Sequence, residues 1–188
     1  MKRLEEIVQE STDVVMRSFR EQGEKIQAVV VLLTEAFKSG HKILIFGNGG
    51  SAADSQHFAA EMIGRFQKER QALPAVALST DTSTITALSN DYGFEIIFSR
   101  QIEALGRTGD VALGFSTSGN SKNIIRGLEA ARTKGMKTVA LTGQGGGKLN
   151  GLADICIAVP SSVTARIQEA HGVIVHALCE LVEEAYSV

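Results

Sequence analysis

Cysteine is scarce in this chain: 188 residues hold two, Cys156 and Cys179, each in an apolar stretch. Two such positions make no disulfide framework and read as buried thiols of a cytosolic protein. Long apolar runs are also lacking. None reaches the ~18 residues of a membrane span. Met1-Lys-Arg-Leu-Glu-Glu opens a charged amphipathic helix where a leader would carry an apolar core. These absences predict a cytoplasmic location with no membrane partner. No excess of one charge exists either, since 19 Lys and Arg face 21 Asp and Glu, for a formal net charge of −2. No basic cluster appears, which argues against a nucleic-acid surface. Internal repeats, low-complexity segments and linkers are absent too. A hydrophobic content of 44% marks a globular chain, and residues 1–188 fit one domain with a real core.

What is present is a regular alternation. Helical spacing predicts one helix over 3–20 and a second over 24–39, separated by Gly23 and ended by Ser39-Gly40. Five short apolar runs follow, at 42–46, 75–79, 110–115, 137–141 and 154–159. Helical stretches are expected near 51–69, 83–89, 94–105 and 121–134. Strands alternating with helices predict an α/β fold, a parallel sheet with helices on both faces. Pro74 stands just before the second run, where it removes no central ladder bond. Over 163–186, apolar residues from Val163 to Val182 cover almost the whole circumference of a last helix. A helix apolar all round is buried on all sides, more than one small sheet can provide, so a homo-oligomer is expected.

Three glycine-bearing loops follow strands. The first, Gly47-Asn-Gly-Gly-Ser51, turns from an apolar strand into a helix that Ser51 is placed to cap. The free N–H groups there attract anions. The run to Ala52 also fits a loose dinucleotide pattern, with Asp81 in the place of a ribose-binding acid; that signal is weak alone. The second loop, Gly114-Phe-Ser-Thr-Ser-Gly-Asn-Ser121, offers the hydroxyls of Ser116, Thr117, Ser118 and Ser121 at a helix start. It reads as a phosphate site or as a serine-rich turn with a cap. The third, Thr142-Gly-Gln-Gly-Gly-Gly147, is assigned no ligand. Asn90 and Asp91 suit either sugar hydroxyls or an ordinary turn.

His57 and Glu61 stand four apart on one helical face. Gln168 and His176 share a broad face of the last helix, ~80° apart, with Gly172 between them. His57, Glu61, Gln168 and His176 together offer two imidazoles, a carboxylate and an amide oxygen, a set that suits zinc or a similar divalent ion. His171 points away and reads as a hydrogen-bonded core histidine.

These residues meet a family pattern. The chain resembles the SIS (sugar isomerase) domains, and within them the bacterial phosphoheptose isomerases, nearly end to end. The likeness runs through Gly-Asn-Gly-Gly-Ser at 47–51, His57-Phe-Ala-Ala-Glu61, Gly64-Arg-Phe, Asn90-Asp-Tyr-Gly-Phe, Ser116-Thr-Ser-Gly-Asn-Ser121, Ala165-Arg-Ile-Gln-Glu169 and His176. It implies a flavodoxin-like three-layer α/β/α sandwich with a five-stranded parallel sheet. It also implies a homotetramer, with the N-terminal helices (1–40) packing in the oligomer and active sites built between subunits. The activity implied is conversion of sedoheptulose 7-phosphate to D-glycero-D-manno-heptose 7-phosphate, an aldose–ketose isomerisation through an enediol(ate). That reaction is the first step toward the heptoses of the lipopolysaccharide core. By the same resemblance Asn48, Gly49, Gly50, Asn90, Asp91, Ser116, Thr117, Ser118 and Ser121 bind substrate. His57, Glu61, Gln168 and His176 hold one Zn2+ per subunit, Glu61 and Gln168 also touching substrate. Glu61 and His176 form the acid/base pair.

One other resemblance carries a different function. The DnaA initiator-associating proteins share the fold and the tetramer and resemble this chain at His57-Phe-Ala-Ala, Arg65-Phe and Leu73-Pro-Ala. They bind the replication initiator and lack the counterparts of Glu61 and His176. Both residues are present here, which favours the enzyme over a non-catalytic adaptor. A sugar-phosphate sensor usually comes joined to a further domain, for which this chain has no room.

Overall fold

The computed structural model describes residues 1–186. A helix, α1 (Lys2–Lys38), leads into five strands: β1 (Ile43–Phe46), β2 (Ala75–Ala77), β3 (Val111–Ser116), β4 (Lys137–Thr142) and β5 (Ile155–Ala158). Between and after them come α2 (Gly50–Ile63), α3 (Thr82–Tyr92), α4 (Ile97–Leu105), α5 (Lys122–Thr133) and α6 (Thr164–Tyr186). All pairings are parallel, in the order β2-β1-β3-β4-β5. This is the flavodoxin-like winding, in which the chain direction switches between β1 and β3 and a crevice opens beyond their carboxyl ends.

Alternate residues of the central strands feed two cores. Ile43, Ile45, Leu113 and Phe115 pack with α1, α2 and α6 on one face; Leu44, Phe46, Ala112 and Ala140 pack with α4 and α5 on the other. β1 and β3 are buried along their whole length, as strands covered on both faces must be.

Several expectations from the sequence are corrected. The two N-terminal helices are one helix of 37 residues. Gly23 does not break it: open space surrounds the position, and glycine inside a helix costs only ~0.5–1 kcal/mol. Burial of Ile26, Val29, Val30, Leu33 and Phe37 outweighs that cost. α2 stops at Ile63, short of residue 69, because residues 66–70 turn to meet a buried acid, Glu183. α3 is longer than 83–89. Asp81 caps its start by accepting from Thr84 N–H at 3.1 Å, and Gly93, at φ +94°, ends it. α6 is not buried all round. Glu169, Val173, His176, Glu180 and Glu184 form an exposed stripe along it. Both cysteines are buried free thiols, as read from sequence. Among the described residues no helix is long and apolar enough to cross a membrane.

Candidate active site

The loops after β1 and β3 stand side by side at the switch point. Gly49, at φ +57°, takes the N-cap position of α2. Ser51 is therefore not the cap; it lies buried inside the first turn. Gly50 sits against α6, and a Cβ there would lie 2.5 Å from Gln168 Nε2.

Asn48 is held by a residue that the sequence reading missed. Asn123, in the first turn of α5 and 3% exposed, exchanges two hydrogen bonds with it. Asn48 Nδ2 donates to Asn123 Oδ1 at 2.9 Å, and Asn123 Nδ2 returns a bond to Asn48 Oδ1 at 2.8 Å. An asparagine two residues past Ser121 in a helix's first turn was the available signal.

In the second loop Ser116 Oγ donates to Ser121 Oγ at 3.0 Å and lies 3.5 Å from Ser118 Oγ. Ser121 holds the N-cap position without bonding the helix through its side chain, so its hydroxyl faces the serine cluster. Thr117 contributes through its backbone, its carbonyl accepting from Gly143 N–H at 3.0 Å. The third loop, given no ligand from sequence, packs behind the second. At Gly119 (φ +65°) a Cβ would lie 2.1 Å from the Gly146 carbonyl oxygen, and Asn120 Oδ1 accepts from Lys148 N–H at 3.1 Å.

Asn90 and Asp91 occupy the last turn of α3 and bond each other at 2.8 Å. Glu95, four residues on from Asp91, pairs with Lys122 at 2.7 Å and Arg126 at 2.9 Å. These ion pairs bring the end of α3 toward the start of α5, where the serine loop ends.

Beside the glycine loop, His57 Nε2 lies 3.1 Å from Glu61 Oε1 and 3.3 Å from His176 Nε2. The two imidazole rings meet edge to face at 4.9 Å, and Phe66 lies 5.5 Å from the His176 ring. The ligand atoms of His57, Glu61 and His176 all fall within 4.8 Å of one another. Gln168 is level with Gly50, and eight residues of helix separate its backbone from that of His176 by ~12 Å along the axis. The fold gathers His57, Glu61 and His176 and places the Gln168 amide against the glycine loop.

Two further ionisable groups were not singled out for the site. On α2, Asp54 follows Gly50 by one turn, and its buried Oδ2 has no partner among the described residues. Burial raises its carboxyl, with His57 opposing the shift. Burial also pushes the His171 imidazole down to about 4, while Nε2–H donates to the Thr142 carbonyl at 3.1 Å. His171 is a neutral core residue, as expected.

An open parallel sheet with a hydroxyl-rich loop opening α5 and a His/Glu/His cluster on α2 and α6 fits one class, the SIS domain. The comparisons agree. The SIS domain family model matches residues 7–143. The phosphoheptose isomerase of Aquifex aeolicus is 53% identical over 184 residues, 98% of this chain and 96% of that protein. The solved phosphoheptose isomerase of Neisseria gonorrhoeae superposes with a TM-score of 0.92 at 44% identity, covering 97% of this chain and 98% of its own. That of Francisella tularensis gives 0.93 at 37% identity, covering 97% of each. The chain belongs to the SIS domain family and, within it, to the phosphoheptose isomerases.

Proposed function

We propose that this aldose–ketose isomerase interconverts sedoheptulose 7-phosphate and D-glycero-D-manno-heptose 7-phosphate, opening the route to lipopolysaccharide-core heptoses in the cytoplasm. One observation carries the reading. The Asn48–Asn123 hydrogen bonds tie the start of α5, where the hydroxyl loop ends, to the glycine loop that opens α2, the helix that carries His57 and Glu61, so a phosphate held at the hydroxyl loop would direct its carbonyl carbons toward that helix.

Ser116, Thr117, Ser118 and Ser121, with the N–H groups opening α5, bind the phosphate. Asn48, Gly49 and Gly50 line the sugar, with Asn90 and Asp91 as a second contact. Glu61 removes the proton from the hydroxymethyl carbon beside the ketone, leaving an enediol(ate). The proton then returns to the neighbouring carbon, and His176 exchanges the oxygen-bound proton. The same pair runs the reverse direction.

The ligand chemistry fits zinc. Two nitrogens on one tetrahedral zinc ion lie ~3.3 Å apart, and His57 and His176 Nε2 are separated by 3.3 Å. His57, Glu61 and His176 would hold the ion, joined by a Gln168 amide oxygen. Bound there, it would supply stabilisation of a developing enolate oxygen. The exposed apolar residues Leu4, Val8 and Met16 of α1 support a homotetramer built through the first and last helices. In such an assembly the active site lies between subunits, and residues of the exposed α6 stripe face a neighbour.

The test is turnover of sedoheptulose 7-phosphate by the purified protein, with and without chelator. Formation of the aldose supports the reading. Loss of rate on chelation that added zinc restores supports the metal. No turnover under either condition contradicts the proposed reaction.

A further inference from the structure

Glu61 lies two residues before the end of α2, and His176 stands in the middle of α6. One buried ion pair reaches both places. The Arg70 and Glu183 side chains are 3% and 2% exposed, with Nε and Oε2 3.1 Å apart. Glu183, two turns beyond His176 on α6, accepts the backbone N–H groups of Phe66 at 3.0 Å, Gln67 at 2.9 Å and Lys68 at 2.6 Å. Phe66, fixed in this way, lies against the His176 ring.

The rest of the Arg70 guanidinium turns to the end of α2. Nη2 donates to the Glu61 carbonyl at 2.8 Å, and Nη1 to the Met62 carbonyl at 2.9 Å. Helix ends leave such carbonyls without intrahelical partners, and a cation there also complements the helix dipole. Water or a glycine turn serves most helices. Here a planar fork bonds the very residue that carries the carboxylate. Stability alone does not require the arrangement, because buried ion pairs contribute little beyond well-packed apolar residues.

We propose that Arg70 and Glu183 are positioning residues for the isomerisation. They fix the backbone of Glu61 and, through Phe66, the ring plane of His176, so that carboxylate and imidazole meet the reacting carbons together. The inference rests on the reading of Glu61 and His176 as the acid/base pair.

Arg70→Lys keeps the charge and loses the fork, so it serves either Glu183 or the α2 carbonyls, not both. Phe66→Leu leaves the ion pair intact and removes the aromatic contact. Both are assayed well below their melting midpoints, with Glu61→Gln alongside. Arg70→Lys should lose ~10–100-fold in kcat, since a misplacement near 1 Å costs up to about a hundredfold. KM should stay within about threefold, because the sugar and phosphate loops are untouched. Phe66→Leu should lose ~3–10-fold in kcat by the same reasoning. A folded Arg70→Lys enzyme with normal kcat overturns the proposal, as does a change confined to KM. Should Arg70→Lys not fold, Phe66→Leu decides, and normal kcat there overturns it equally. Retained turnover in Glu61→Gln defeats the acid/base reading itself. Lost turnover there beside normal Arg70→Lys and Phe66→Leu enzymes defeats the positioning role alone.

Discussion

Replacing Asn123 by alanine removes a residue that, on the proposed function, would act on substrate only through Asn48. Its amide exchanges two hydrogen bonds with Asn48, at 2.8 and 2.9 Å, and its Oδ1 also accepts from Ile124 N–H at 3.0 Å. Neutral hydrogen bonds contribute ~0.5–1.5 kcal/mol each. Asn48 is only half-buried, so water replaces part of what is lost there. The variant should therefore lose ~2 kcal/mol of ordering in the glycine loop, equivalent to ~30-fold in kcat/KM if substrate binding must restore it. Asn123→Asp still accepts from Asn48 but cannot donate to it, and it adds a negative charge beside the serine loop. It should raise KM for the phosphorylated sugar further still. The assay is steady-state turnover of sedoheptulose 7-phosphate, with calorimetry to follow folding and an Asn48→Ala cycle. Because both changes break the same pair, the double variant should be little worse than either single one. Additive losses, or an unchanged kcat/KM in Asn123→Ala, would refute the coupling of the two loops.

Two other outcomes follow from the same geometry. Ser118→Ala with Ser121→Ala should weaken binding of the phosphorylated ketose far more than that of its unphosphorylated parent; equal losses in titration calorimetry remove the phosphate assignment. His171 is held neutral, its pKa lowered from 6.5 to about 4. As pH falls from about 6.5 toward 4 the unfolded chain takes up this proton first, so stability declines across that window by up to ~3 kcal/mol. Melting curves across it should show a slope that His171→Asn reduces, and an unchanged slope in that variant would remove His171 as its source.

The strand–helix alternation was legible because its signals are local: apolar runs, turn glycines and helical spacing. The glycine and serine loops were legible for the same reason. Gly23 misled because a glycine between two helical patterns looks like a boundary, while the packing that overrides it lies on distant elements. The 66–70 turn was invisible because the acid that captures it is Glu183, more than a hundred residues away. Asn123 was missed for a similar reason, since its partner Asn48 follows a different strand. α6 looked apolar all round because Val173 lies on the exposed stripe beside His176. Gln168 and His176 share a broad face, yet their separation along the helix decides how they can meet a common ligand.

The most direct measurement is turnover of sedoheptulose 7-phosphate by Glu61→Gln and His176→Asn beside the parent protein, with folding and oligomeric state checked in each. Losing one positioned acid or base costs ~10²–10⁴-fold in rate, so each variant should fall by at least about a hundredfold while melting behaviour changes little. Near-normal turnover in both folded variants would contradict the account.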